Sequence, residues 1–342
     1  MSEALAVKYR PKTFDQVISQ SSVVKILTRQ IETKKYKNLI FAGPSGSGKT
    51  TLARILAYKI NEYRDESGNL CSAEPIEIDA ASNSGVDNVR NIIDGANTRS
   101  LDGEYKIYII DEAHALTSQS WNALLKTIEE SPKYTIFIFC TTEFHKIPET
   151  IQNRCQLFFL NRVDDSLICN RLEEICSKEG FTFDREALLQ ISKMSSGSVR
   201  QAISYLEKVS DYDKNISLET VLSVLGDFRY DTFFDLMNAI IDRDNKTLIE
   251  VIEKVYMSGS DLKQFVEMFI EFVLDLSKYT IFNSFDLIKI PKSCEGKLKY
   301  TTNVEGSTKY FNHILDKLLE LKVKLKGDPN IKNTIEISLL QL

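Results

Sequence analysis

Residues 43–50 read Gly43-Pro44-Ser45-Gly46-Ser47-Gly48-Lys49-Thr50, with a second hydroxyl at Thr51. The apolar run Leu39-Ile40-Phe41-Ala42 precedes this segment, and Leu52, Ile55, Leu56 and Ile60 follow it at helical spacing. A strand, a glycine loop and a helix in that order leave few folds open. The loop belongs at the carboxyl end of a strand in an α/β sheet. Its glycines let backbone N–H groups approach phosphate oxygens closely, and the helix N-terminus adds partial positive charge. Lys49 can reach β and γ phosphates, and the Thr50 hydroxyl suits Mg²⁺. Residues 43–51 are therefore candidate ligands of a nucleoside triphosphate.

The first 160 residues alternate short apolar runs with helical patterns, which predicts a parallel sheet covered on both faces. Strands are expected at 38–42, 76–79, 106–110, 134–141 and 156–160, with a polar loop over Tyr63–Asn69. Beyond residue 160 the strand signal fades. Helices are expected at 164–178, 184–209 and through 216–282, then an irregular stretch at 283–309. A closing helix carries Ile314, Leu318, Leu321 and Leu325 and ends at Gly327 and Pro329. The organisation expected is an α/β domain (1–160), a small helical domain (161–210) and a helical C-terminal domain (211–342). No apolar run approaches the roughly 20 residues of a membrane helix, and the first residues lack a signal peptide's apolar core, so a cytoplasmic protein is expected. The six cysteines form no C-x-x-C pair. Cys169 and Cys176 fit one helix face, so buried free thiols are expected.

A second cluster of candidates falls at strand ends. Ile107–Ile110 leads into Asp111-Glu112, two carboxylates at the ligand-binding edge of an α/β sheet. Asp111 can hold Mg²⁺, and Glu112 can orient an attacking water. Thr141 or Thr142, after the strand at 134–139, can sense a γ phosphate. Arg154, before the last strand, is placed to complete a neighbour's site, and Arg200, at a helix start, to reach phosphates from a lid.

The order of these pieces carries a resemblance. Val7-Lys8-Tyr9-Arg10-Pro11, the glycine loop, Ile78-Asp79-Ala80-Ala81-Ser82, Asp111-Glu112-Ala113-His114, Asn122–Glu130, Cys140-Thr141-Thr142, Arg154-Cys155 and Gly197-Ser198-Val199-Arg200 occur in sequence. Together they closely resemble the gamma/tau clamp-loader ATPases of bacterial DNA polymerase III, a branch of the AAA+ family shared with replication factor C. The match spans 5–205 strongly. It extends more weakly through 216–282, where Val224-Leu225-Gly226 and Ser258–Leu262 look like the collar domain. The resemblance implies an AAA+ sheet domain, a helical lid and an oligomerising collar. It also implies ATP and Mg²⁺ as ligands, with a sliding clamp, primer-template DNA, DNA polymerase and sister subunits of a pentameric ring as partners. By the same resemblance Val7, Tyr9 and Pro11 contact adenine, Thr141 is sensor 1, Arg154 the trans-acting finger and Arg200 sensor 2.

Two departures matter. The region where the family carries a four-cysteine zinc module holds only Cys71, so no zinc is expected. The family's Ser-Arg-Cys reads Asn153-Arg154-Cys155. The chain also ends after the collar region, without the family's long C-terminal extension, as in a compact phage or divergent bacterial loader. A net charge of −5 opposes a general nucleic-acid coat but permits local patches. Arg90 and Arg99 are candidate DNA phosphate contacts. The alternative reading is another AAA+ DNA motor, such as a branch-migration helicase. Asp111–His114 also spells the signature of a helicase class. That class needs a second α/β domain, whereas 161–342 reads as helical, so His114 is expected at a helix start or site edge.

Overall fold

The computed structural model describes residues 3–64, 70–100, 102–225, 230–303 and 306–342. Gly226 and residues 65–69 of the expected polar loop lie outside them. The chain divides into two compact units, Met1–Phe181 with Ser195–Glu207, and Thr182–Met194 with Lys208–Leu342. The stretch 161–210, expected as one helical domain, is thus shared between the two units.

In the first unit, short α1 (Leu5–Lys8) and α2 (Ser21–Thr33) precede strand β1 (Leu39–Ala42) and helix α3 (Lys49–Ile60). Strands β2 (Glu62–Arg64) and β3 (Leu70–Ser72) pair antiparallel, so Tyr63 and Arg64, expected in a polar loop, lie in a strand. Then come β4 (Ile76–Asp79), α4 (Val86–Ala96), β5 (Lys106–Asp111), α5 (Ser118–Glu129), β6 (Thr135–Thr141), α6 (Glu149–Gln152), β7 (Gln156–Phe159) and α7 (Asp165–Glu179). The five main strands form one parallel sheet in the order β4-β5-β6-β1-β7.

The continuous apolar runs make sense because successive side chains leave a strand on opposite faces. Leu39, Phe41, Ile107, Ile109, Ile136 and Ile138 pack on one side with Leu27 of α2 and Leu52 and Leu56 of α3. Ile40, Tyr108, Ile110, Phe137 and Phe139 pack on the other with Ile92 of α4 and Trp121 and Leu124 of α5. Each such fully buried side chain contributes roughly 1.5–3 kcal/mol. Strand register is braced at Asn38, 9% exposed. Its Oδ1 accepts from Phe137 N–H at 2.9 Å, and its Nδ2 donates to Ser131 Oγ at 3.0 Å and Ile128 O at 3.3 Å.

The second unit holds β8 (Thr182–Phe183) and α8 (Arg185–Met194). Helix α9 (Val199–Tyr212) begins in the first unit and ends in the second. The unit continues with β9 (Asn215–Ile216), α10 (Leu218–Leu225), α11 (Tyr230–Asp242), α12 (Asn245–Met257), α13 (Leu262–Phe282), α14 (Glu295–Thr302), α15 (Ser307–Lys324) and α16 (Ile331–Leu339). Its core gathers Phe233, Phe265, Phe269 and Phe272 with Leu298, Ile314 and Ile335. Four features depart from expectation. The helix at 184–209 is broken where Ser196 and Gly197 both adopt positive φ (52° and 79°), a backbone that no right-handed helix continues through. Strands β8 and β9 pair in parallel within a region read as wholly helical. The stretch 283–309 contains α14, and α16 follows the helix expected to close the chain. Among the described residues no cysteine is in a disulfide; Cys140, Cys169 and Cys176 are buried, whereas Cys71, Cys155 and Cys294 are half-buried. No helix of the described residues is long and apolar enough to cross a membrane.

Replacing Asn38 with Ala leaves the Phe137 N–H and Ile128 carbonyl without their side-chain partner. The expected cost is roughly 1–3 kcal/mol of unfolding free energy, read by chemical denaturation. An unchanged midpoint would show that these bonds contribute nothing net.

Candidate active site

The site forms where β1, β5 and β6 end side by side. The loop after β1 is shaped by its glycines. Gly46 (φ 75°) and Gly48 (φ 98°) take left-handed backbone that costs side-chain-bearing residues 1–2 kcal/mol or so. A Cβ on Gly46 would meet Ser198 Oγ at 1.9 Å, and one on Gly43 would meet Leu160 O at 2.4 Å. The loop is thereby pinned between the end of β7 and the turn before α9.

Lys49 opens α3 and is 6% exposed. Its Nζ donates to Gly43 O at 2.8 Å and Pro44 O at 3.0 Å. Burial lowers its pKa, and the nearby carboxylates of Glu112 and Asp111 oppose that shift. Thr50 Oγ1 donates to Asp111 Oδ2 at 2.8 Å. Ser45–Thr51, Asp111 and Glu112 line one cavity, together with Tyr9, Pro11 and Arg200. Among the described residues the buried Ser47 hydroxyl has no hydrogen-bond partner. Buried polar atoms are normally satisfied, so an orphaned hydroxyl in a glycine loop fits a loop built to take an anion. A hydroxyl and a carboxylate in contact at Thr50 and Asp111 are likewise the oxygen donors a hard cation takes. The residues present therefore fit a Mg²⁺–triphosphate.

Besides Lys49, three arginines of the described residues line this cavity. Arg200 was expected from the sequence; Arg10 and Arg171 were not. Burial, then the guanidiniums of Arg54 and Arg200, lower the pKa of half-buried Arg10. Like charges held this close favour a polyanionic occupant. Arg171 on α7 donates to Tyr9 O at 3.1 Å, while Tyr9 OH and Lys8 Nζ donate to Glu179 Oε1 at 2.5 and 2.6 Å. Burial and the Glu179 carboxylate push the Tyr9 phenol up to about 12. The N-terminal segment is thus tied to α7 beside the cavity. Within it Ala6, rather than the exposed Val7, joins Tyr9 and Pro11 in the lining. A lone cation carries no spacing signal, which is why Arg171 escaped sequence reasoning.

The other expected residues lie outside this lining. Thr141 is fully buried; its Oγ1 lies 3.2 Å from His114 Nδ1 and accepts from Glu143 N–H at 3.1 Å. Thr142 Oγ1 instead touches Glu112, at 3.3 Å from Oε2. Arg154 donates to Glu129 Oε1 at 2.5 Å and Thr150 O at 2.7 Å. Arg90 is exposed on α4 and pairs with Asp87 at 3.0 Å. Arg99 lies over the Tyr134 ring at 5.5 Å. Among the described residues no group of three or more His, Cys, Asp or Glu side chains is gathered for a metal ion.

Three family models match the chain: "DNA polymerase III, delta subunit" over residues 19–164, "RCF1/5-like, AAA+ ATPase lid domain" over 170–210, and "DNA polymerase III subunits gamma and tau domain III" over 216–300. The DNA polymerase III subunit gamma/tau of Mycoplasma genitalium is 34% identical over 321 residues, covering 89% of this chain and 53% of the relative. The tau subunit of Bacillus subtilis is 35% identical over 292 residues, covering 81% and 52%. The chain therefore spans about half the length of these relatives. The gamma subunit of Buchnera aphidicola subsp. Schizaphis graminum is 33% identical, covering 99% of this chain and 97% of the relative. Among solved structures, the Thermotoga maritima RuvB Holliday junction branch migration motor aligns with a TM-score of 0.53 at 22% identity, covering 68% of this chain and 79% of that one. At that identity the likeness is one of fold.

Removing the Lys49 ammonium should weaken binding of a fluorescent ATP analogue to Lys49→Ala by roughly 10- to 100-fold, the worth of one charge-assisted bond of about 1.5–3 kcal/mol. Equal affinity of the two proteins in a fluorescence titration would place the triphosphate elsewhere.

Proposed function

We propose that this chain, which belongs to the DNA polymerase III gamma/tau family, is an ATP-hydrolysing subunit of a sliding-clamp loader. One observation carries the reading. The Thr50–Asp111 contact, Lys49 and Glu112 share a cavity with Arg10 and Arg200, which is the donor set that phosphoryl transfer to water requires. In this reading the backbone of residues 43–51 and Lys49 bind the phosphates of ATP, and Tyr9 and Pro11 flank the base. Thr50 and Asp111 hold Mg²⁺, which neutralises phosphate charge when bound. Glu112 orients the attacking water and accepts its proton. Arg200 stabilises the phosphates from the lid, and Thr141, at the tip of β6, senses the γ phosphate. Arg154 lies outside its own subunit's cavity, which supports a role in a neighbouring subunit's site.

ATP binding would close a ring of sister subunits, open a sliding clamp and hold it on primer-template DNA for a polymerase, in the bacterial or phage-infected cytoplasm. Hydrolysis would release the clamp. Five copies of a local basic patch, with Arg90 and Arg99 as candidates, would track DNA phosphates. The branch-migration alternative rests on a likeness of fold, whereas the relatives at 31–35% identity carry polymerase III names.

ATP turnover by the assembled subunits is expected to rise more with clamp and primer-template together than the separate effects sum to. Indifference to the clamp would leave only a generic motor. Arg154→Ala should keep nucleotide affinity yet lose about 1000-fold in turnover, the scale of an arginine finger. A variant with full turnover would remove the trans role.

A further inference from the structure

The Glu112 carboxylate is held from one side only. Glu112 itself sits in left-handed backbone (φ 46°, ψ 44°), and its N–H donates to Asp111 Oδ1 at 3.0 Å. The 3₁₀ turn Ala113–Ala115 then brings His114 against the tip of β6. There His114 Nδ1 lies 3.4 Å from Glu112 Oε2 and 3.2 Å from Thr141 Oγ1, while Nε2 lies 3.3 Å from Glu143 Oε1. Thr142 Oγ1 donates to the same Glu112 Oε2 at 3.3 Å. Among the described residues no hydrogen bond falls on Glu112 Oε1. The His114 side chain is only 17% exposed, so the ring has little room to turn, whereas Glu112 is 40% exposed and lines the nucleotide cavity.

We infer that His114 is a positioning residue for Glu112: the ring, braced on Thr141 and Glu143, holds Oε2 and presents Oε1 to the attacking water. The inference rests on the reading of Glu112 as the water-orienting residue. A glutamate side chain loses rotamer entropy when it is fixed. A base whose carboxylate is already oriented meets that cost before the reaction begins, which is where proximity effects arise. Histidine suits the task because its two nitrogens face opposite ways. One side of the ring meets Glu112 and the other meets Glu143. Glu143 is in turn tied to Lys146 at 2.9 Å and by its own N–H to Thr141. The brace thus joins the loop after β5 to the loop after β6. Glu143 is a positioning residue at one remove.

The test compares His114→Ala with His114→Asn, whose amide can stand where Nδ1 stood. Turnover is measured on the assembled loader with clamp and primer-template DNA. Affinity is measured on the chain with a fluorescent ATP analogue. His114→Ala is expected to lower kcat by up to about 100-fold, the effect of a small misplacement of a reacting group, with KM and analogue affinity unchanged. His114→Asn is expected to recover most of the loss. Wild-type kcat in His114→Ala would overturn the inference, and so would equal losses of kcat and affinity in both variants, since the ring would then be a packing element. A crystal structure of His114→Ala gives a readout independent of turnover: the Glu112 carboxylate should occupy more than one rotamer, and a single unchanged rotamer would overturn the proposal. Absence of ATP turnover in the wild-type assembly would instead sink the clamp-loader reading, with the crystallographic result still deciding the role of His114.

Discussion

Everything at the site depends on how the turn from Gly43 to Gly48 is held. Left-handed φ at Gly46 and Gly48 gives the kind of turn in which successive backbone amides can form a concavity for an anion. That shape must be supported from outside the loop, and it is. Leu160, just past β7, abuts Gly43, and Ser198, just before α9, abuts Gly46. The sheet order then does the rest. With β1 between β6 and β7, and β5 beside β6, the loops that carry Lys49, Asp111 and Thr141 all emerge along one sheet edge. Asp111 meets Thr50 across that edge, at 2.8 Å, although 61 residues separate them in the chain. Register along β5 and β6 is therefore as much a part of the chemistry as the side chains are, because a slip of one residue would turn Asp111 to the other face.

Electrostatics at the site runs against the charge of the chain as a whole. A net charge of −5 says nothing of a cavity into which Arg10, Arg171 and Arg200 converge around buried Lys49. Burial alone makes Lys49 less willing to hold its proton, and Glu112 and Asp111 counter it. Arg10 has its burial compounded by Arg54 and Arg200. Such an arrangement is unfavourable until an anion enters, so part of the free energy of binding is the relief of repulsion between these cations. Glu179 and Arg171, by tying down Tyr9, hold Arg10 where that relief is felt.

The sheet was legible because its signal is redundant. Strands such as Ile136–Phe139 are apolar at every position, since both faces are covered. The glycine loop and the Asp111-Glu112 pair were legible because their spacing has few other uses. What stayed hidden lacked a periodic signature. The β2–β3 pair has three residues per strand, too short to show alternation. Helix α14 follows Pro291 and contains Gly296, both of which read as breakers. The break between α8 and α9 rests on Ser196 taking a backbone conformation that serine seldom adopts. The participation of Arg10 and Arg171, and the bracing of Glu112 by His114, depend on tertiary placement, and no spacing rule encodes that. The sequence places His114 only at a helix start or site edge; its three polar neighbours appear only once β5 and β6 are laid side by side.

The partners that Arg154 already has bear on the proposed trans role. Its guanidinium is satisfied within its own subunit, by Glu129 and the Thr150 carbonyl. The Glu129 pair is partly exposed, at 32% and 50%, and exposed pairs of this kind contribute about 0–1 kcal/mol. A guanidinium facing a triphosphate forms bidentate charge-assisted bonds in a drier setting, each roughly twice as strong as a neutral hydrogen bond. On the proposed trans role, exchanging Glu129 for a phosphate on an adjoining subunit would therefore cost little and gain more. On that proposal the local pair would hold the arginine until a neighbour arrived, and its weakness would let the exchange follow the state of the nucleotide next door.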